Sequence, residues 1–304
     1  MKWNNALAII NPRAGRWRSE RSAAELLRAA FAQHGGSLTI RTVSGPQDAR
    51  LWAEDAARDG FDLCIVCGGD GTVHEVINGL LRGTMLPIAL LPTGSGNVLT
   101  AELGIGKKLR DAVCCIHNGT LRSIDAGMIT SHNRMFVNAI TLGYGSRIIA
   151  DARQELKNFL GYPAYVLTAL ANLTRINTAR FRCTIDGSQK TFDAQMVMVA
   201  NVGLKSLHLP QYGPVISVDD GLLDVILFSH KNIQDLAWFL AGIILPSRLP
   251  PAQLTCFRGR EITITSNPVL PFLVDGESVV SGEVSIASRP GALRVVAPKD
   301  DEQK

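Results

Sequence analysis

The feature that most constrains the fold is a series of four short apolar segments within the first 91 residues, each followed by an amphipathic stretch. The segments read ALAII, LTIRTV, DLCIV and PIALL. Helical patterns occupy residues 20–33, 46–58, 73–81 and 97–103. Apolar strands that alternate with helices are typical of a parallel sheet covered on both faces. The sequence therefore predicts a doubly wound α/β domain over residues 1–123.

The pattern changes after about Ser123 to short alternating runs bounded by turn residues, which is typical of an antiparallel β-sandwich. The runs include DAGMIT, RFRCTIDG, GLLDVILFSH, EITITS and GEVSIAS. Helical patterns interrupt them at 164–172 and 233–244. We expect a β-rich second domain over residues 124–288, with residues from about 289 to 304 returning to the first domain.

The composition is that of a globular protein and not of a disordered or fibrous one. A chain of 304 residues with 46% hydrophobic and 19% charged residues is long enough for two globular domains. The formal charge of +4 gives no reason to expect a nucleic-acid partner, although it permits an anionic substrate or membrane surface. The six cysteines lie mostly within apolar runs, which favours a reduced, cytoplasmic protein. The pair Cys64 and Cys67 reads better as part of a core strand than as a zinc or redox site.

Three polar loops that contain glycine leave the carboxyl ends of predicted strands. They read NPRAG after Ile10, GGDGT after Cys67 and PTGSGN after Leu91. Ligands of doubly wound sheets bind beyond these strand ends, where glycine lets a backbone approach phosphate and a helix start binds anions. Neither the P-loop pattern nor the dinucleotide fingerprint is present. We expect the three loops to meet at one edge of the sheet.

Asp70 places a negative charge at the tip of the second loop. Two interpretations of this residue are equally supported by the loop alone. Asp70 either caps the helix that follows it, or faces a Mg²⁺ ion that neutralises it against bound phosphates.

Seven motifs follow one another along the chain: NPRAG, GGDGTVHEVINGL, LPTGSGN, IDAG, VDDGLLDV, VDGE and PGALRVVAP. This ordered set resembles the diacylglycerol kinase catalytic family, which includes sphingosine and ceramide kinases and the bacterial lipid kinases. The resemblance spans nearly the whole chain. GGDGT alone is shared with NAD kinases and phosphofructokinases, whereas the set is far more specific.

The resemblance implies that ATP and Mg²⁺ bind in a cleft between the α/β domain and the β-rich domain. Glu277 of VDGE matches the family's general base, and Asp70 would act through Mg²⁺. Alternatively, DGE is simply good turn chemistry. The implied nucleotide-binding residues are Asn11, Gly68, Gly69, Asp70, Gly71, Thr72, Val73, His74, Gly94, Ser95 and Asn97.

Three further acidic positions are candidate site residues. Asp220, with the carbonyl groups of Ser217 and Leu222, matches a structural Mg²⁺ site of the bacterial lipid kinases, and a plain D-D-G turn is the alternative. Asp125 of IDAG lies at a hinge position, where it either tunes the metal site or caps a turn. Glu75 either orients a substrate hydroxyl or is solvated.

The third loop departs from the pattern of many bacterial members, which read G-T-x-N-D. Here the loop reads GSGNVLTAEL, with Val98 in place of the acid. This form is closer to the sphingosine and ceramide kinases, so the sequence does not specify the lipid.

Two further segments bear on a lipid substrate. Residues 233–250, with Trp238, Phe239 and Arg248, either border an acyl pocket or bilayer or form a core helix. A basic cluster near the first loop either attracts ATP or anionic headgroups or is a solvated helix start. Its members are Arg13, Arg16, Arg18 and Arg21.

The predicted function is an ATP-dependent lipid kinase that phosphorylates a hydroxyl of a diacylglycerol-like or sphingoid lipid. A soluble-substrate kinase related to NAD kinase predicts a central Asn-Glu dipeptide, which this sequence lacks. A non-catalytic binding protein predicts loss of Asp70 or Glu277, and both are present. The expected partner is a lipid substrate. A cytoplasmic location, peripheral contact with a membrane and a homodimer are compatible with this function.

Overall fold

The computed structural model describes residues 1–14, 18–143, 177–203, 206, 215–229, 255–279 and 282–299. The chain forms two compact units. The N-terminal unit comprises Met1–Ala126 and Gly291–Lys304, and the C-terminal unit comprises Gly127–Pro290. Several predictions lie outside the described residues: the helices at 164–172 and 233–244, Trp238, Phe239, Arg248, Arg16 and the side chains of Arg18, Arg21 and Glu277.

The N-terminal unit is a parallel sheet with strand order β2-β1-β3-β4, joined beside β4 by the end of the last strand of the chain, where Val295 pairs with Ile88. This confirms the doubly wound α/β prediction. The elements, in order, are β1 (Asn5–Ile10), α1 (Arg18–His34), β2 (Ser37–Thr42), α2 (Asp48–Ala56), β3 (Leu63–Gly68), α3 (Asp70–Arg82), β4 (Ile88–Pro92), α4 (Val98–Glu102), α5 (Leu109–Asn118) and β5 (Thr120–Ile129).

Burial explains why the central strands read as continuous apolar runs. Every residue of β3 is buried, including Cys64 and Cys67, whose thiol pKa values are raised by burial. Helix α5 was not predicted, since its Val113, Cys114, Cys115 and Ile116 have weak helix propensities. Packing against α1 and burial of Val113 and Ile116 stabilise it instead.

The C-terminal unit contains two antiparallel sheets, which confirms the predicted sandwich. One has the order β16-β13-β8-β9 and the other β12-β11-β10-β7-β14-β15. The strands are β6 (Arg134–Phe136), β7 (Ala139–Gly143), β8 (Ala179–Ile185), β9 (Ser188–Ala194), β10 (Met196–Ala200), β11 (Leu223–Phe228), β12 (Thr255–Gly259), β13 (Glu261–Asn267), β14 (Phe272–Val274), β15 (Glu277–Val279) and β16 (Glu283–Ala297). Side chains from both sheets, such as Phe181 and Phe272, form its core.

None of the helices in the described part of the chain is long and apolar enough to cross a membrane.

Candidate active site

The three predicted loops leave one edge of the parallel sheet at the same level. Ile10, the last residue of β1, is in register with Cys67 on β3, and Cys67 is in register with Leu91 on β4. Parallel strands that end in register bring the loops after them close together. The edge therefore consists of the C-terminal ends of three neighbouring strands, β1, β3 and β4, which end in register.

Asn11 ties the first loop to the second. Its backbone N–H donates to the carbonyl of Cys67 at 2.9 Å, and its Nδ2 donates to Oγ1 of Thr72 at 2.9 Å. Its Oδ1 accepts the backbone N–H of Arg13 at 3.0 Å. Thr72 in turn lies over Gly68, where a Cβ would overlap the threonine side chain. A side chain at Gly68 would therefore displace Thr72, the residue whose hydroxyl accepts the hydrogen bond from Asn11.

Glycines also let the second and third loops touch through their backbones. A Cβ on Gly94 would overlap the Cα of Gly69. Asn97 closes the third loop on itself, because its Nδ2 donates to the carbonyl of Gly94 at 2.6 Å and its Oδ1 accepts the N–H of Gly94 at 3.0 Å. Asn97 adopts a left-handed conformation with φ 49°, which asparagine tolerates better than most residues.

Asp70 is not the cap of its own helix, so that interpretation was wrong. Helix α3 starts at Asp70, and its N-cap is Gly69, with no side-chain cap hydrogen bond. Instead Oδ1 of Asp70 accepts the N–H of Val98 at 2.8 Å, at the start of α4 and 28 residues along the chain. A Cβ on Gly96 would overlap Oδ2 of Asp70. The carboxylate therefore fixes the third loop against the second.

The predicted nucleotide contacts range from exposed to buried. Gly71 and Ser95 are exposed, and the space where a Cβ of Gly71 would lie is open. Val73 and His74 are 8% and 1% exposed, and the ring of His74 lies 3.3 Å from Nδ2 of Asn78. Their side chains are enclosed by protein, so the prediction that they contact a nucleotide has no support from side-chain exposure.

Glu75 lies against α2 rather than in bulk solvent. Its Oε2 is 3.9 Å from Nε of Arg50, and both side chains are about one-quarter exposed, at 27% and 26%. Close contact of the two helices at Gly79, where a Cβ would overlap the carbonyl of Arg50, brings the pair together. The structure places Glu75 one turn into α3, in an interhelical pair.

Asp125 is 2% exposed and lies within β5. Its Oδ1 accepts the backbone N–H of Gly291 at 2.7 Å, which ties β5 to β16. Gly291 has φ +60°, a conformation that favours glycine. Both residues belong to the N-terminal unit. Strand β5 ends the first segment of that unit, and β16 begins its second segment. The carboxylate thus holds the two connecting strands together.

VDGE forms a two-residue hairpin turn. Val274 pairs with Glu277, and the residues between them, Asp275 and Gly276, have φ values of 48° and 93°. Positive φ at both positions is the type I′ geometry that favours Asp-Gly. The motif therefore does form a turn, which places Glu277 at the first position of β15, and the role of Glu277 as general base stays a prediction.

Asp275 is a residue that the sequence interpretation did not assign to the site. Its carboxylate accepts the backbone N–H groups of Val137, Asn138 and Ala139 at 3.1, 2.9 and 3.1 Å. Asn201, fully buried, donates from Nδ2 to the carbonyl of Val137 at 3.0 Å. The hairpin is thereby fastened to the start of β7. Asp275 belongs to the VDGE motif, but the N–H groups that donate to it lie about 136 residues away in the sequence, so the motif alone could not reveal them.

The residues around Asp220 form the D-D-G turn that the sequence left open. Oδ1 of Asp220 accepts the N–H of Leu222 at 3.0 Å, and Oδ2 lies 3.6 Å from the Arg258 guanidinium. The hydroxyl of Ser217 donates to Asp219 at 2.5 Å. Both oxygens of the predicted ligand thus face protein groups, one of them a cation, so the set does not fit Mg²⁺ as arranged. Across the described ranges, no group of three or more His, Cys, Asp or Glu side chains could hold a metal ion.

Comparisons with known proteins cover both units. The family model for the diacylglycerol kinase catalytic domain matches residues 5–129, and the model for the YegS C-terminal NAD kinase beta sandwich-like domain matches residues 138–297. The second match alone covers more than half of the chain.

Relatives match over almost the full length. A protein of Pseudomonas aeruginosa named "Probable lipid kinase YegS-like" is 29% identical over 90% of each chain, and the diacylglycerol kinase of Bacillus subtilis is 25% identical over 98% of each. The crystal structure of a diacylglycerol kinase from Bacillus anthracis is 23% identical, covers 98% of each chain and superposes with a TM-score of 0.73, which shows the same fold. The chain therefore belongs to the diacylglycerol kinase catalytic-domain family, in the form that carries a YegS-type C-terminal domain.

Proposed function

We propose that this protein is a lipid kinase that transfers the γ-phosphate of ATP to a hydroxyl group of a diacylglycerol-like or sphingoid lipid. The observation that carries the proposal is the edge built from three loops. Asn11, Asp70 and Asn97 fasten these loops with their side chains, while glycines leave the backbone uncovered. Such a surface suits phosphate groups, since backbone N–H groups and a helix start can approach them closely.

The chemistry of the site fits ATP. Gly71 and Ser95 are the exposed members of the two phosphate loops. A Cβ on Gly69, Gly94 or Gly96 would contact or overlap the neighbouring loop, so the close approach of the two loops requires glycine at these positions. The predicted location of the active site in a cleft between the domains stays a prediction.

Asp70 is the residue that we assign to Mg²⁺ on the nucleotide. A partly exposed carboxylate is a ligand type that Mg²⁺ prefers, and such an ion neutralises charge on the transferred phosphoryl group. Because Asp70 also accepts the N–H of Val98, its negative charge is held at the junction of two loops.

Glu277 is the proposed general base. An unactivated alcohol needs a proton acceptor as its oxygen bonds to the γ-phosphorus and the bond to the β-phosphate oxygen breaks. The I′ turn and the three hydrogen bonds of Asp275 fix the backbone that carries Glu277. Asp275 is therefore proposed as a positioning residue.

Lipid as the acceptor class is supported by the names of the relatives. Contact with a membrane surface and a homodimer belong to the same proposal.

The test compares Glu277→Gln with Glu261→Gln. Both glutamates are the first residue of a strand in the C-terminal unit. With radiolabelled ATP and an extract of host lipids, the Glu277 variant should lose transfer by about 100-fold or more, because general-base catalysis contributes about that much. The Glu261 variant should transfer normally, and both should still bind ATP.

Chromatography of the labelled product identifies the acceptor. Label on a glycerolipid or a sphingoid base supports the proposal and selects the substrate. Label on NAD but on no lipid would contradict it, as would undiminished transfer by the Glu277→Gln protein.

A further inference from the structure

Arg258 connects three points of the segment that contains the D-D-G turn. It lies on β12 directly opposite Asp224 of β11, so the strand register itself pairs the two residues. Its Nε donates to Oδ1 of Asp224 at 2.8 Å, and its Nη2 donates to the carbonyl of Val215 at 2.6 Å. Its Nη1 lies 3.6 Å from Oδ2 of Asp220. One guanidinium thus spans both ends and the middle of residues 215–224.

Asp224 makes this cation necessary. The residue is 1% exposed, and a buried carboxylate without a positive partner is costly. Burial raises the pKa of the Asp224 carboxyl, whereas the hydrogen bond from Arg258 acts in the opposite direction. The rigid, planar guanidinium can satisfy several oxygens at once, as a divalent ion does.

The turn has its own anchors besides Arg258. Leu222 donates its N–H to Asp220, and the hydroxyl of Ser288 donates to the carbonyl of Gly221 at 3.0 Å. The hydrogen bond from Ser288 therefore ties the turn to β16. Gly221 has φ +76°, which the tight turn requires.

We propose that Arg258 takes the structural role that the family resemblance gives to a Mg²⁺ ion at this turn. The guanidinium supplies positive charge to Asp220 and Asp224, and its position beside Asp220 opposes a divalent cation there. A structural metal makes folding depend on the metal concentration. A side-chain cation removes that dependence, so the C-terminal unit should fold equally well without divalent ions.

The experiment is thermal unfolding of the full chain without nucleotide, in excess EDTA and in millimolar Mg²⁺. The wild-type melting temperature should be the same in both. Arg258→Met should lower it by about 5 °C or more in both solutions, because it leaves Asp224 buried without its partner. The matched control Arg260→Met, an exposed arginine two residues along, should leave it unchanged.

Two variants locate any response of the wild-type protein to Mg²⁺. If Mg²⁺ raises the melting temperature and Asp220→Asn abolishes the rise, a metal occupies the turn and the proposal is overturned. If Asp70→Asn abolishes the rise and Asp220→Asn does not, the ion binds at the phosphate loops and the proposal stands. Should Arg258→Met fail to fold, the wild-type comparison in EDTA still decides.

Discussion

Two Asp-Gly pairs of this chain look alike in sequence and behave differently in structure. Asp70 and Gly71 open helix α3, whereas Asp275 and Gly276 form the turn of a hairpin with φ values of 48° and 93°. Oδ1 of Asp70, a partly exposed residue, accepts the N–H of Val98. The carboxylate of Asp275 is buried and accepts three N–H groups. The first pair continues into the helical stretch TVHEV, whereas the second continues into the strand ESV.

The difference separates a carboxylate that can meet a ligand from one that maintains the fold. Partial exposure at the junction of two loops suits the role we propose for Asp70 with Mg²⁺. Enclosure by backbone donors suits Asp275 for holding the strand that carries Glu277. Substitution of Asp275 should therefore lower the free energy of unfolding, whereas loss of the charge of Asp70 should lower the rate of phosphate transfer.

The largest effect is expected from Asp275→Ala, which leaves three buried N–H groups without an acceptor. The free energy of unfolding, measured with urea, should fall by about 4 kcal/mol, since each unsatisfied buried donor costs about 1–3 kcal/mol. Asp275→Asn should lose less, because Oδ1 alone accepts two of the three N–H groups. A loss below about 1 kcal/mol for the alanine variant would show that the hydrogen bonds contribute little.

Asp70→Asn should change activity rather than stability. The amide oxygen can still accept the N–H of Val98, so the melting temperature should stay within about 2 °C of the wild-type value. ATP-dependent transfer should fall about 100-fold, because the charge assigned to Mg²⁺ is gone. Asp70→Ala, which removes the hydrogen bond as well, should lose both. If Asp70→Asn retained full activity, Asp70 would only position the third loop.

The sequence predicted the fold well because its signals are local. Apolar strands, glycine loops and alternating runs each lie within about ten residues, and they indicated both the parallel sheet and the sandwich. The sequence pattern predicts that α3 starts at Val73, three residues after its start in the structure, because the first turn, Asp70 to Thr72, has no apolar stripe. Helix α5 was missed, since tertiary packing and not propensity stabilises it.

The site was harder to predict because its side chains are joined by contacts distant in sequence. The motifs identified Asp70 and Asp220, but not the N–H of Val98 or the guanidinium of Arg258 that each of them meets. Asp275 was overlooked for the same reason. A motif specifies which residue types are present, and only the fold decides which donors face them.

The smallest and sharpest effect comes from replacing the glycine of each pair by alanine, with opposite signs expected. Gly276 has φ 93°, where a Cβ is strained, so Gly276→Ala should destabilise the chain by about 1 kcal/mol. Gly71 lies in the first turn of α3 with open space around it, so Gly71→Ala should stabilise by about 0.5 kcal/mol. Urea unfolding of both variants measures the two signs. Destabilisation by Gly71→Ala would mean that the backbone at Gly71 is not helical. Gly71 would then resemble Gly276 in requiring a conformation that favours glycine. A loss of ATP binding by Gly71→Ala without loss of stability would instead place the nucleotide directly over this residue.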